Sequence, residues 1–182
     1  MKFLSVGVEK LFTLAQPKNF SFVNGYEPTE CTIFTTTFKV ERAENNIPIG
    51  KPLDNMKLYV VDQNFNRVPI CACGELIVAG IQVGAGYLNR PEKTSEVFIK
   101  NPFDGEEYSR AYKTGDIVRY HVDENIEFIG RRDGQFKIRG FRIELTEVEA
   151  VIREFPSVKD AIGVRQSKRR MLSTIPRLTS RS

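Results

Sequence analysis

The segment GRRDGQFKIRGFRIEL, residues 130–145, packs glycines, paired arginines, an aspartate and a lysine into a run whose periodicity reads as a β-hairpin. Arg131 within it carries a guanidinium that stays charged and donates in a planar fork, the geometry that phosphate and carboxylate oxygens accept. Upstream, Asp116 closes the tripeptide Thr114-Gly115-Asp116. Its carboxylate can accept from two neighbouring hydroxyls at once, and the glycine lets the backbone turn tightly beside a ligand. Asp133-Gly134 offers a point where large backbone changes can be absorbed. Each feature also has a plain reading: a turn that happens to contain T-G-D, a solvated arginine on a hairpin, and a β-turn.

The elements that must position these residues are mostly strands. Residues 20–23 and 32–40 are rich in β-formers on either side of the Gly- and Pro-containing NGYEPTE, residues 24–30. Residues 57–61 and 75–81 read as strands joined by a polar turn, and Gly80, Gly84 and Gly86 punctuate the stretch beyond. Residues 91–98 read as a short helix with Pro91 in its first turn. A meander comes next, with strands at 116–122 and 126–129 and a second hairpin, 136–138 with 141–145, around Arg139-Gly140. Thr146 then caps a helix that runs to Phe155, with Glu149 completing a capping box and Val148, Val151, Ile152 and Phe155 as its apolar stripe. Residues 158–164 suggest one more strand, and beyond them the period is lost.

Composition bounds the function classes. The 182 residues, 41% hydrophobic and 27% charged, are ordinary for a globular chain with a real core. No apolar run approaches membrane-spanning length and no signal-peptide pattern opens the chain, so a cytoplasmic location and no membrane partner are expected. The net charge of +4 is carried by residues 165–182, which hold six basic residues and no acidic one; removing these six from 27 leaves 21 basic against 23 acidic residues. That tail is expected to be disordered and basic. It lacks the interleaved aromatics of a nucleic-acid platform, which speaks against a nucleic-acid partner. Cys31, Cys71, Cys73 and the single His121 match no zinc framework and read as structural thiols.

Four motifs in order, NGYEPTE, GELIVAGIQVGAGYLNRPEKT (residues 74–94), YKTGD (residues 112–116) and the 130–145 segment, resemble the amino-acid adenylation domains of non-ribosomal peptide synthetases. Gln135 in D-x-Q-x-K-I-R-G favours this branch over acyl-CoA ligases and luciferases. The resemblance implies activation of an amino acid by ATP to aminoacyl-AMP, then transfer to a phosphopantetheine thiol on a peptidyl carrier domain, beside condensation domains. It implies that Asn24, Tyr26, Thr29, Asp116 and Arg131 bind nucleotide: Tyr26 stacking on adenine, Asn24 beside the base, Thr29 at the α-phosphate, Asp116 on the ribose, and Arg131 on the ribose and phosphate side. Glu30 would bind Mg²⁺. Gly25, Ile33 and Phe34, with Leu4 and Val6, would line the amino-acid pocket. Asp133 and Lys137 would form the hinge about which a small subdomain rotates.

The implied fold is mainly β with α+β parts. Residues 1–132 would be the C-terminal portion of the large AMP-binding subdomain, including its distorted β-barrel. Residues 133–164 would hold the hinge and the start of the small C-terminal subdomain, and residues 165–182 the tail. Glu27 stands where the family has glycine, at a cost of about 1–2 kcal/mol if that backbone is left-handed, and Val8 replaces another glycine. The family's phosphate loop and the lysine that stabilises developing charge are not found in the sequence. A fragment of an adenylation domain is therefore the expected function. A non-catalytic remnant and a nucleic-acid binder acting through the tail are the alternatives.

Overall fold

The computed structural model describes residues 3–7, 11–13, 21–41, 45–103, 108–132, 136–138, 141–143, 145–155, 158–164 and 177–180. They divide into two compact units, Met1–Arg132 and Asp133–Ser182.

In the first unit, β1 (Phe3–Gly7), β2 (Leu11–Thr13), β3 (Ser21–Tyr26), β4 (Thr36–Val40), β5 (Asn45–Ile47), β6 (Lys51–Pro52), β7 (Met56–Val61) and β8 (Cys73–Gly80) precede the short helix α1 (Pro91–Val97). Then come β9 (Phe98–Lys100), β10 (Arg110–Tyr120) and β11 (Ile126–Arg131). One sheet runs β1-β3-β4-β6, with β1 parallel to β3 and the other pairs antiparallel. A second runs β11-β10-β8-β7, with β9 also on β10, and all its pairs are antiparallel. Strands β2 and β5 pair as a separate ribbon. The two sheets are joined where Ile49 N donates to Ile126 O at 2.8 Å and Ile126 N to Gly50 O at 2.9 Å.

The second sheet forms because its strands carry apolar residues on both faces. On β8, Leu76, Ile77, Val78 and Ala79 are all fully buried. Successive side chains point to opposite sides, so Leu76 and Val78 pack with Leu58, Val60, Tyr112, Val118 and Phe128, while Ile77 and Ala79 pack with Tyr59, Val61 and Ala111. Each buried Leu, Ile or Val contributes about 1.5–3 kcal/mol over an exposed one. Strand β8 is thus the rigid centre of the sheet on which β10 lies.

The expected strands at 57–61, 75–81 and 126–129 and the helix at 91–98 correspond to β7, β8, β11 and α1, with Pro91 at the helix start. β10 differs. It begins at Arg110, so it takes in the whole YKTGD motif, of which the sequence reads only Asp116 as strand. Glycine and aspartate depress strand propensity locally, yet tertiary pairing with β8 absorbs them in a bulge.

The second unit holds the hairpin β12 (Phe136–Ile138) and β13 (Phe141–Ile143), helix α2 (Leu145–Arg153), β14 (Ala161–Val164) and β15 (Arg177–Ser180). The helix starts at Leu145, one residue before the expected cap. Its end is tied to β14: Arg153 Nε donates to Asp160 Oδ1 at 2.9 Å and Arg153 Nη2 to Ala161 O at 2.8 Å. Strand β15 lies inside the stretch that the sequence reads as disordered. It pairs antiparallel with β14, Leu178 opposite Gly163, a partnership that no local period reveals. The other residues of 165–182 lie outside the described ones. Among the described residues no helix is long and apolar enough to cross a membrane.

Candidate functional site

Asp116 sits where β10 leaves regular pairing. The register with β8 shifts between Lys113 and Ile117, so that β10 carries extra residues opposite Leu76. Such a bulge re-aims a side chain. Gly115 takes φ 73°, a left-handed value that suits glycine. Thr114 closes the bulge: its hydroxyl donates to Leu76 O at 2.8 Å and accepts from Asp116 N at 2.9 Å. The outcome is a buried carboxylate, 5% exposed, held by donors from β3 and β11. Arg131 Nη1 donates to Oδ1 at 2.8 Å from the facing position on β11, and the Tyr26 hydroxyl donates to Oδ2. Burial, then the Asp116 carboxylate, pushes the Tyr26 phenol well above its ordinary range, so it remains a donor.

The 24–30 segment runs off the end of β3 into a 3-10 turn, Thr29–Cys31. Tyr26 is 6% exposed and packs in the core as well as holding Asp116. Asn24 is fully buried, with Nδ2 donating to Pro48 O at 2.7 Å, and its Oδ1 has no hydrogen-bond partner among the described residues. Thr29 is exposed at the start of the turn, and Glu30 is buried. Tyr87 donates its hydroxyl to Glu30 Oε1 at 2.6 Å. A hard cation takes several oxygen ligands, so this one carboxylate fits Mg²⁺ only if phosphate oxygens complete the shell. Among the described residues no three His, Cys, Asp or Glu side chains gather to hold a metal by themselves.

Gly25 and Phe34 meet directly: a Cβ on Gly25 would lie 2.4 Å from the Phe34 ring, so only glycine lets the ring lie against the strand. Ile33 beside it is exposed. Leu4 and Val6 lie on β1, opposite Phe22 and Asn24 of β3, and their side chains are outside the described ones. Asp133 lies outside the described residues. Lys137 is on β12 opposite Arg142, and its side chain too is outside them. The structure therefore brings Tyr26, Asp116 and Arg131 together, and separately Gly25 with Phe34.

Sequence reasoning missed Thr114 as the clasp of the bulge and Tyr87 as the partner of Glu30. Both fall inside recognised motifs, where a polar residue close to glycine was the one signal. In the same turn, Cys31 is fully buried, and burial followed by the neighbouring Glu30 pushes its thiol up to about 12, which makes it unreactive.

Residues 8–88 match the model of the AMP-binding enzyme family. Malpibaldin synthetase of Mortierella alpina is 48% identical over 149 residues, covering 80% of this chain and 3% of that protein. Malpinin synthetase of the same organism is 38% identical over 183 residues, covering 98% of this chain and 2% of that protein. The solved structure of holo-PA1221, a non-ribosomal peptide synthetase protein with adenylation and PCP domains bound to a vinylsulfonamide inhibitor, is similar at a TM-score of 0.74 and 34% identity. It is covered over 26% of its length by 81% of this chain. The chain belongs to the AMP-binding enzyme family. It is part of an adenylation domain of the kind found in non-ribosomal peptide synthetases, and its mainly β architecture is that of the matched portion. This adenylation-domain chain spans only a small share of the synthetases it matches, 3% and 2% of the two named here.

Proposed function

We propose that this chain supplies the ribose and metal side of the nucleotide site in an enzyme that activates an amino acid with ATP, giving aminoacyl-AMP and pyrophosphate. The aminoacyl group then passes to the phosphopantetheine thiol of a carrier domain. The observation that carries this reading is Asp116 itself: a buried carboxylate aimed by a bulge and fixed by Tyr26 and Arg131. A structural ion pair needs neither the left-handed glycine nor the threonine clasp that turn Asp116 off the strand path.

In this reading Asp116 accepts from the ribose hydroxyls, and Arg131 both orients that carboxylate and adds positive potential beside the phosphates. Tyr26 keeps its proton and positions Asp116, and its ring borders the base next to Asn24. Thr29 donates to the α-phosphate in this reading, which its exposure at the turn supports. Glu30 holds Mg²⁺, whose charge offsets that of the phosphates when it is bound. Gly25, Phe34 and Ile33, with Leu4 and Val6, form one side of the amino-acid pocket. The hinge is assigned to Asp133 and Lys137, at the boundary between the two compact units. Condensation domains are the expected neighbours in the full synthetase.

The test is AMP binding by calorimetry. Asp116→Ala is expected to weaken binding by about ten- to a hundredfold, the loss of a charge-assisted pair worth roughly 1.5–3 kcal/mol. Equal affinities for wild type and variant would remove Asp116 from the nucleotide site.

A further inference from the structure

We propose that Tyr87 is a positioning residue for Glu30, so that residues 82–87 act as a clamp on the metal side of the nucleotide site; the inference rests on the assignment of Mg²⁺ to Glu30. Hydrogen bonds at three points hold the Glu30 turn to this segment. The Tyr87 hydroxyl donates to Glu30 Oε1 at 2.6 Å, Gly84 N to Glu30 O at 2.8 Å, and Thr32 Oγ1 to Gln82 O at 2.9 Å. The first falls in the range of a hydroxyl donating to an ionised carboxylate. It fixes the plane of the carboxyl group, whereas the other two fix only the backbone beneath it.

Tyr87 is itself held. Thr94 Oγ1 accepts from Tyr87 N at 2.9 Å, and Phe98 meets the ring edge-on, with centroids 5.5 Å apart. The turn it steadies is strained, because Thr32 takes φ 75°, a region β-branched residues seldom enter. Strain of this kind persists only where the surroundings over-determine it, and it gathers at ligand-binding sites. A carboxylate that binds a metal is characteristically oriented by a further hydrogen bond, and removing that partner typically weakens metal affinity by about 10–100-fold.

The experiment is calorimetric titration of the full chain with ATP, in Mg²⁺ and in EDTA, and with AMP. In the wild type Mg²⁺ is expected to tighten ATP binding. Glu30→Gln should abolish that tightening. Tyr87→Phe should reduce it about tenfold or more, leave AMP affinity unchanged, and have no further effect in the Glu30→Gln background. Phe98→Leu, which loosens the ring contact but keeps the phenol, should lower the thermal midpoint and retain the Mg²⁺ effect.

Full Mg²⁺ tightening in a folded Tyr87→Phe chain would overturn the positioning role and leave the Glu30 assignment intact. Loss of the Mg²⁺ effect in Phe98→Leu would also overturn it, in favour of ring packing. No Mg²⁺ effect in the wild type, or a full one in Glu30→Gln, would remove the metal assignment and this inference together. AMP binding and its dependence on Asp116 would still report separately on the nucleotide reading.

Discussion

Glu127 shows how single side chains set the pH response of this chain. It is 5% exposed, and its Oε2 accepts from Arg119 Nε at 2.8 Å and pairs with His121 Nε2 at 3.0 Å. Burial alone would raise its carboxyl, but the bonds from His121 and Arg119 outweigh burial and hold it below the usual glutamate range. A depressed folded-state value means that the unfolded chain takes up the proton first as pH falls. The stabilisation is therefore complete above the unfolded value, about 4.3, and is lost as pH falls through the folded one. Glu127→Gln should cost roughly 1–2 kcal/mol near neutrality. Urea melts between pH 3 and 7 should show the gap to wild type closing on the acid side. A gap that stays constant across that range would mean the carboxylate charge is not what stabilises the chain. At the same scale, the identities of Asp116 and Arg131 were legible in the sequence, because short motifs carry them. Their mutual bond was not, since it depends on strand register, and neither was the phenol of Tyr26 arriving from 90 positions away.

At the scale of elements, the bulge in β10 decides whether Asp116 points to the site. Thr114 is 2% exposed, and its hydroxyl both donates and accepts, so Thr114→Val would leave Asp116 N and Leu76 O without their partner. A loss of about 1–3 kcal/mol is expected from the unsatisfied groups. Gly115→Ala places a Cβ on a left-handed residue, at about 1–2 kcal/mol. Chemical denaturation of both variants, followed by AMP titration of the folded chains, measures the two effects. If Gly115→Ala retained both stability and affinity, the bulge would not be what aims Asp116. Elements with strong local signals were legible: Pro91 opening α1, and the apolar runs of β7 and β8. The start of β10 was hidden because Gly115 and Asp116 lower strand propensity, and the gain from lying on β8 is not local. β15 was hidden for a related reason, since its partner lies about sixteen residues back and its own composition is that of a polar tail.

For the whole molecule, the division into two units makes the effect of truncation specific. Removing residues 165–182 deletes β15 and bares the β14 edge at Ala161–Val164. Hydrogen exchange should then speed up in Ala161–Val164 and stay unchanged in β7 and β8, whose pairing is complete within Met1–Arg132. Unaltered exchange at β14 would show that β15 adds nothing to that unit. The first unit has a different property, set by how its site is closed. Asp116 depends on the pairing of its strand with β8, some forty residues earlier, and on a phenol ninety residues earlier. Joining such distant segments is entropically costly until many contacts form together, and folds built this way are slow. Under the proposed role of Asp116, AMP binding is expected to be a late marker of folding, arising only after the long-range pairing of β10 with β8 is complete, and a kinetic trace of AMP binding during refolding would time that last step.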